Sequence, residues 1–469
     1  MNFGGFFCRN LKGRIYMQEE IFELIEGKKY ARLRELLSDM NPADIAQILE
    51  DVEERELPVI FRILPKELAA EVFVEMDSEM QQLLIEAFSD TELREVMDEL
   101  FMDDTVDIID EMPATVAKRI LGQTDAKTRK MINQLLAYPD DSAGSIMTTE
   151  YVDLKKHMTV DMAFDRIRAV GLDTEAIYTC YVIDASRHLL GIVTVKDLLL
   201  NQKDCVISNI MDENVIYANT LDDKEEVAGQ FEKYDLMALP VVDKENRLVG
   251  VVTVDDAIDV IQEEATEDIE KMAAILPSDK TYFRTSVFST FKARIPWLLL
   301  LMISATFTGA IISGFEEKLT VFPALIAFIP MLMDTGGNSG SQSSVTIIRG
   351  ISLGDIEFSD IFRVLWKETR VAFLCSIVLA GVNFIKLILM DYLLLHTFDA
   401  GKQIPEIAVV CLTLFCTVIV AKIIGCSLPI LAKKVGFDPA VMASPFITTI
   451  VDAISLFIYF NIAIVFLGI

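Results

Sequence analysis

Two carboxylates interrupt the apolar C-terminal part of the chain. Asp334 lies in PMLMDTGGNSGSQSS (330–344), directly after the apolar run VFPALIAFI, with Asn338 one helical turn further on. Asp452 lies in ASPFITTIVDAISLFIYF (443–460). A charge at the centre of a bilayer costs ~2.5–3.5 kcal/mol even on a lenient insertion scale, so both should face a water-filled or protein-lined path. Gly336, Gly337 and Gly340 remove side chains where backbones pack closely or line a pore, while Asn338, Ser339, Ser341 and Gln342 offer polar ligands. Pro445 cannot donate to the carbonyl of Val441 and is expected to bend the helix above Asp452, leaving Ser444, Thr448 and Thr449 within two turns of the carboxylate. Oxygen donors without a Cys or His cluster favour a hard cation. Mg²⁺ gives up its water reluctantly, so a wide, sparse site suits it, and a symmetric dimer would place two copies of Asp452 on one axis. Asp334 and Asn338 have the alternative use of cementing helices.

These residues need a membrane frame. Five spans are readable at roughly 295–315, 319–346, 367–394, 407–432 and 439–468, each near or above the ~20 residues that cross a bilayer. Asp334 and Asp452 read as the only carboxylates deep within them. Lys292 and Arg294 precede the first span, Arg349, Arg363, Lys367 and Arg370 surround the second loop, and Lys433 and Lys434 mark the fourth. The positive-inside rule then gives a multi-pass protein of the inner or plasma membrane, with its N-terminus cytosolic and its C-terminus outside. The opening MNFGGFFCRNLKGRIYM lacks the apolar core of a signal peptide. Seven cysteines without a CxxC pair read as reduced apolar fillers.

Residues 291–469 carry 12 Lys+Arg and 12 Asp+Glu, so the whole net charge of −29 lies in the first 290 residues. Such a field repels nucleic acid and attracts cations, although a solvated acidic surface accounts for it equally. From 19 to 137, short amphipathic helices should start at Asn41-Pro42, Leu64-Pro65, Ser89-Asp90 and Met112-Pro113. This regular step, with Pro or a capping residue at each start, implies an all-α stacked superhelix. A second repeat follows, with YVIDASRHLLGIVTVKDLL matching PVVDKENRLVGVVTVDDAI at a constant offset of 59. Its strands, turn and closing helix resemble a tandem pair of CBS domains, an α/β module, over 138–204 and 205–262. In such pairs the Thr-x-x-Asp turns, here Thr194/Asp197 and Thr253/Asp256, hold a nucleotide ribose and phosphate; an N-cap alone is the plainer reading. Beyond it, 263–290 reads as a long acidic linker helix on which carboxylates recur at three- and four-residue steps. Like charges at that spacing call for a neutralising cation.

This order of helical repeat, CBS pair, acidic linker and five-span α-helical membrane domain (291–469) resembles the MgtE family of magnesium channels and transporters. The stretches YPDDSAGSIMT (138–148), EEATEDIEK (263–271), PMLMDTGGNSGSQSS and DPAVMASPFITTIVDAISLFIYF (438–460) carry the resemblance. It implies a homodimer whose pore is lined by the second and fifth spans. Asp452, Asn338 and the Thr448 carbonyl, with Asp334 nearby, would recognise a largely hydrated Mg²⁺. It further implies that cytosolic Mg²⁺ closes the pore by binding Asp103, Asp107, Asp223, Glu225, Asp235, Asp256, Asp259, Glu264, Glu267 and Asp268, the last five on a linker acting as a plug. ATP at the CBS pair is the second ligand the resemblance allows. The expected function is therefore Mg²⁺ uptake under negative feedback, not an enzymatic one.

Three other classes meet the same residues. An intramembrane aspartyl protease needs Gly-x-Gly-Asp, whereas Asp334 follows Met-Leu-Met and Asp452 follows Thr-Ile-Val. A proton-coupled secondary transporter of Mg²⁺, Co²⁺ or Mn²⁺ would use one titratable Asp equally well. A membrane-anchored sensor would bind ions through residues 1–290 without flux.

Overall fold

The computed structural model describes residues 17–468 apart from 172–173, 279–281, 283–284, 316–322, 391–399 and 443. It divides into two compact units, Met1–Ile261 and Gln262–Ile469.

The first unit opens with a helical stack. Residues 17–26 form α1, followed by α2 (Tyr30–Ser38), α3 (Pro42–Leu49), α4 (Leu57–Phe61), α5 (Lys66–Val74) and α6 (Ser78–Ala87). Then come α7 (Asp90–Met97), α8 (Met102–Glu111), α9 (Ala114–Gln123) and α10 (Ala126–Leu135). Two of the four expected starts carry side-chain caps, and Pro65 and Pro113 stand at the other two without one. Asn41 accepts the amide of Ala43 ahead of Pro42, and Ser89 with Glu92 forms a reciprocal capping box. Alternate helices pack on one another, α3 on α5 on α7 on α9 and α4 on α6 on α8 on α10, which makes two layers of a superhelix. Their inward faces, including Leu33, Ile45, Phe73, Leu84 and Ile120, are buried in one continuous core.

Two matching α/β copies follow. The first runs β1 (Tyr151–Leu154), α11 (Val160–Val170), β2 (Ala176–Ile183), β3 (Leu189–Thr194) and α12 (Val195–Leu200). The second runs β4 (Ala218–Asn219), α13 (Lys224–Tyr234), β5 (Ala238–Val242), β6 (Leu248–Thr253) and α14 (Val254–Met272). In each copy the first strand is parallel to the second and the second antiparallel to the third. Val and Leu dominate β5 and β6, where both faces are covered.

The linker corrects one expectation. The closing helix of the second copy and the acidic stretch are a single helix, α14, which stops at Met272 rather than continuing to 290. Ala274 adopts a left-handed φ of 56°, the amide of Ile275 donates back to the Glu270 carbonyl, and Pro277 follows. That is a C-terminal cap followed by a residue that cannot resume a helix.

The second unit contains α15 (Val287–Gly314), α16 (Ile329–Ser352), α17 (Ile361–Met390), α18 (Ala400–Val435) and α19 (Ser444–Leu467). Among the described residues, four helices are long and apolar enough to cross a membrane, those containing α15, α17, α18 and α19. The expected second span lies later than 319–346, in α16. With 24 residues it reaches ~36 Å, but its Gly, Ser, Asn and Asp content makes it too polar to read as a lipid-facing span. It is sheltered by protein instead, packed on α18 and α19.

Candidate functional site: a polar helix in the membrane unit and a buried acidic cluster

The glycines of α16 set its closeness to its neighbours. A Cβ on Gly337 would lie 2.8 Å from Thr448 Cγ2, one on Gly336 2.8 Å from Thr417 Cγ2 and 3.1 Å from Val451 Cγ1, and one on Gly340 2.9 Å from Ile447 Cγ2. The helices bearing Asp334 and Asn338 on one side and Thr448 and Asp452 on the other are therefore in direct contact because three side chains are missing. On α16 the Asn338 amide donates to Asp334 Oδ1 at 3.1 Å, one turn apart, and both side chains are exposed in the single chain. Asp452 is half-buried, and its Oδ1 is enclosed without a hydrogen-bond partner among the described residues. An enclosed, unpartnered carboxylate oxygen costs free energy unless a proton or cation reaches it.

Pro445 corrects a second expectation. It occupies the first turn of α19, where its missing N–H costs nothing, and Val441 belongs to a separate 3-10 turn, Pro439–Met442. It starts the helix rather than bending it. Thr449 turns its hydroxyl back to the Pro445 carbonyl at 3.0 Å.

Reading only the acids of the spans missed a third correction. Lys422 of α18 and Glu368 of α17 also lie among the membrane helices, and Lys422 is 5% exposed. Its signal was one Lys in a long apolar run.

In the first unit, Asp103, Glu175 and Asp256 each bring one carboxylate oxygen within 4.8 Å of the others. Asp103 stands in the first turn of α8, Glu175 immediately precedes β2, and Asp256 stands in the first turn of α14. Asp103 Oδ1 and Glu175 Oε2 are buried and find no hydrogen-bond partner among the described residues. Burial, followed by the charge of Asp103, pushes Asp104 and Asp256 up to about 8 and Glu175 to about 10, and burial raises Asp103 itself. Three oxygens converging from three elements, each resisting its own charge, have the chemistry that suits a hard divalent cation. Glu175 was missed from sequence, because a residue 72 positions from Asp103 and in no motif becomes a neighbour only through the fold.

The other expected regulatory residues are not all brought together. Asp107 is exposed one turn beyond Asp103. Asp223 caps the start of α13, accepting the amides of Glu225 and Glu226, while Asp235 ends the same helix with a left-handed φ of 53°. Eleven residues of helix set the two ends ~16 Å apart, so Asp235 cannot share an ion with Asp223 and Glu225 of the same chain. On α14, burial and Asp255 raise Asp259, and Glu264 is half-buried. Glu267 Oε1 and Asp438 Oδ2 both lie 2.6 Å from Lys271 Nζ, and the Ser352 hydroxyl donates to Asp268 Oδ2 at 3.1 Å. The linker thus touches the last residue of α16 and the approach to α19, and Lys271 supplies part of the positive charge that its carboxylates lack.

At the two Thr-x-x-Asp turns the plainer use is realised. Thr194 and Asp197 cap each other reciprocally, with both amide bonds at 3.1 Å. The Thr253 amide donates to Asp256 Oδ2 at 3.3 Å, and a cavity of about 250 Å³ opens beside that turn between Tyr178, Met237 and Ile258.

The raised carboxylates predict a pH dependence that a cation should remove. Their folded pKa values exceed the unfolded ones near 4, so without divalent cation the folded cluster holds protons that the unfolded chain has released. Its contribution to stability is therefore full below about pH 4 and lost as pH rises towards about 8 for Asp104 and Asp256 and about 10 for Glu175. Chemical unfolding of residues 17–275 in chelator should show that fall. Mg²⁺ about a hundredfold above its dissociation constant should restore about 2.7 kcal/mol at pH 8 and flatten the profile. An equal effect of NaCl at matched ionic strength would reduce the cluster to a screened acidic surface.

A polar, glycine-packed helix set among apolar spans, in a chain that also carries helical repeats and a CBS pair, defines a multi-pass membrane transporter with regulatory soluble domains. The MgtE family, described as a divalent cation transporter, matches residues 329–462, its intracellular N domain matches 40–141, and CBS domains match 143–204 and 207–263. The chain belongs to the MgtE family. It is 35% identical over 444 residues to the magnesium transporter MgtE of Thermus thermophilus, covering 94% of this chain and 96% of that one. The magnesium transporter MgtE of Bacillus subtilis is 33% identical over 451 residues, covering 95% and 96%. Among solved structures, the cytosolic domain of the Mg²⁺ channel MgtE in complex with ATP matches 52% of this chain and 99% of that one at 35% identity, with a TM-score of 0.50. The soluble part of a magnesium transporter matches 54% and 99% at 29% identity, with a TM-score of 0.51.

Proposed function

We propose that the protein is a Mg²⁺ channel mediating magnesium uptake, working as a homodimer, with its N-terminus in the cytosol, its C-terminus outside, and Mg²⁺ on its cytosolic carboxylates holding it shut. The observation that carries the reading is the enclosed, unpartnered Oδ1 of Asp452 on a helix in direct contact with the Asp334–Asn338 helix. Two such carboxylates across a dimer axis would supply charge without a tight cage, which suits an ion that keeps its water. Asp103, Glu175 and Asp256 are the most complete regulatory donor set, with the linker acids as the coupling element. The apolar side chains beside Thr253 suit a nucleoside base better than phosphates, since Glu175 and Asp255 also line that cavity; ATP would need a cation beside it.

A channel and a proton-coupled carrier differ in what drives them. Mg²⁺ flux into proteoliposomes should follow the Mg²⁺ gradient and the membrane potential, and stay within about twofold when a gradient of one pH unit, about 1.4 kcal/mol of driving force, is imposed or reversed. Uphill Mg²⁺ movement driven by the proton gradient alone would establish the carrier.

A further inference from the structure

Among the membrane helices a chain of polar groups crosses three elements, α18, α16 and α17. Lys422 Nζ of α18 donates to Ser343 Oγ of α16 at 3.2 Å, and the Ser343 hydroxyl donates to Glu368 Oε2 of α17 at 2.8 Å. Lys422 and Ser343 are both buried, so the relay is not a surface pair whose charges water would screen. Its geometry follows from a backbone crossing. A Cβ on Gly425 would collide with the carbonyl of Gly340, so α18 and α16 touch one turn from Lys422 and Ser343, and the ammonium reaches the hydroxyl across that contact. Lys422 also lines a cavity of about 580 Å³ whose polar wall is Asp334, Asn338 and Gln342 of α16 and whose far wall is Leu374 and Val378 of α17. Its positive charge is thus held beside the residues proposed to meet the transported ion.

A buried ammonium is costly, and helix packing alone would be served by a Leu or Met there. A fixed positive charge next to a cation path has a use that packing does not. Ions must bind strongly enough to enter and weakly enough to leave, and carboxylates alone hold a divalent ion too tightly for fast passage. We propose that Lys422 is an internal counter-cation that lowers the affinity of the path for divalent ions, and that Glu368, acting through Ser343, is the positioning residue that fixes its place and offsets part of its charge. This rests on the reading of Asp334, Asn338 and Asp452 as the ion path.

Opposite charges give opposite shifts, which a purely structural role would not. Mg²⁺ flux of the full-length protein in proteoliposomes should reach half-saturation at about tenfold lower Mg²⁺ in Lys422→Met, with a lower maximal rate, and at higher Mg²⁺ in Glu368→Gln. The double variant should return towards the unsubstituted protein, and Lys422→Arg, which keeps the charge, should stay within about twofold of it. Because the electrostatic term scales with ion charge, block by a monovalent cation should strengthen only about threefold in Lys422→Met. An unchanged half-saturation in Lys422→Met, or shifts of the same sign in the two single variants, would overturn the proposal. If Lys422→Met fails to fold, Glu368→Gln decides alone, since half-saturation unchanged or lowered there is incompatible with an offsetting charge. Asp452→Ala run alongside separates the two levels. Lost flux in Asp452→Ala with no shift in the relay variants overturns only the role of Lys422, whereas retained flux overturns the path itself.

Discussion

Asp452→Ala should reduce Mg²⁺ flux to background while the fold and the oligomeric state of the protein stay unchanged. Removing a unit charge about 5 Å from a divalent ion costs about 3 kcal/mol at an effective dielectric of about 40, or at least a hundredfold in occupancy, before the geometric loss is counted. The side chain is half-buried with one oxygen unpartnered, so no internal hydrogen bond is broken by its removal at that atom, and stability should not fall. Asp452→Asn preserves shape and one oxygen but not the charge, and should keep only a few per cent of the flux. Proteoliposome uptake with an internal Mg²⁺ indicator, alongside size-exclusion chromatography, checks both halves. Growth of a Mg²⁺-auxotrophic host at the rate given by the unsubstituted protein would contradict the assignment.

The second large effect concerns closure. Asp268 is bonded to Ser352 at the end of α16, and Lys271 joins Glu267 to Asp438 just before α19. The linker is thereby in contact with the last residue of α16 and with the segment that leads into α19. If ions on the acidic face stabilise that arrangement, they favour the closed state by their differential affinity, and a fall in cytosolic Mg²⁺ releases it. Replacing Asp259, Glu264, Glu267 and Asp268 together by Ala should therefore raise the cytosolic Mg²⁺ needed for half-closure by about tenfold, a coupling loss of about 1.4 kcal/mol. Selectivity, which is assigned to Asp452 and Asn338, should not change. A quadruple variant that closes at the original Mg²⁺ concentration would confine these acids to a solvated face and leave Asp103, Glu175 and Asp256 as the gating ligands.

Periodic features were legible in the sequence. A Pro or capping residue every 23 to 25 positions locates one layer of the stacked helices, α3, α5, α7 and α9, because helix starts are chemically specific, and an internal repeat at an offset of 59 locates the two α/β copies whatever their packing. The close packing of α16 was legible too, since glycines in an apolar region let neighbouring helices approach. What escaped depends on tertiary context or on a single backbone angle. Met272 ends α14 because Ala274 turns left-handed, which composition does not announce. Pro445 has the same chemistry in mid-helix and at a helix start, and only the position of the start decides which applies. Glu175 joins Asp103 and Asp256 through the packing of three separate elements, and Asp223 and Asp235 are parted by the length of α13. Lys422 stood in plain view in its span but acquires meaning only through Ser343 and Glu368.

Single-channel recording of the purified protein in a planar bilayer, with Mg²⁺ stepped on the cytosolic side, tests the central claim most directly. The account predicts Mg²⁺ currents that reverse at the Mg²⁺ equilibrium potential, vanish in Asp452→Ala, and show an open probability that falls as cytosolic Mg²⁺ rises through the millimolar range. Absence of unitary current in preparations that still move Mg²⁺ into vesicles, or an open probability indifferent to cytosolic Mg²⁺, would contradict it.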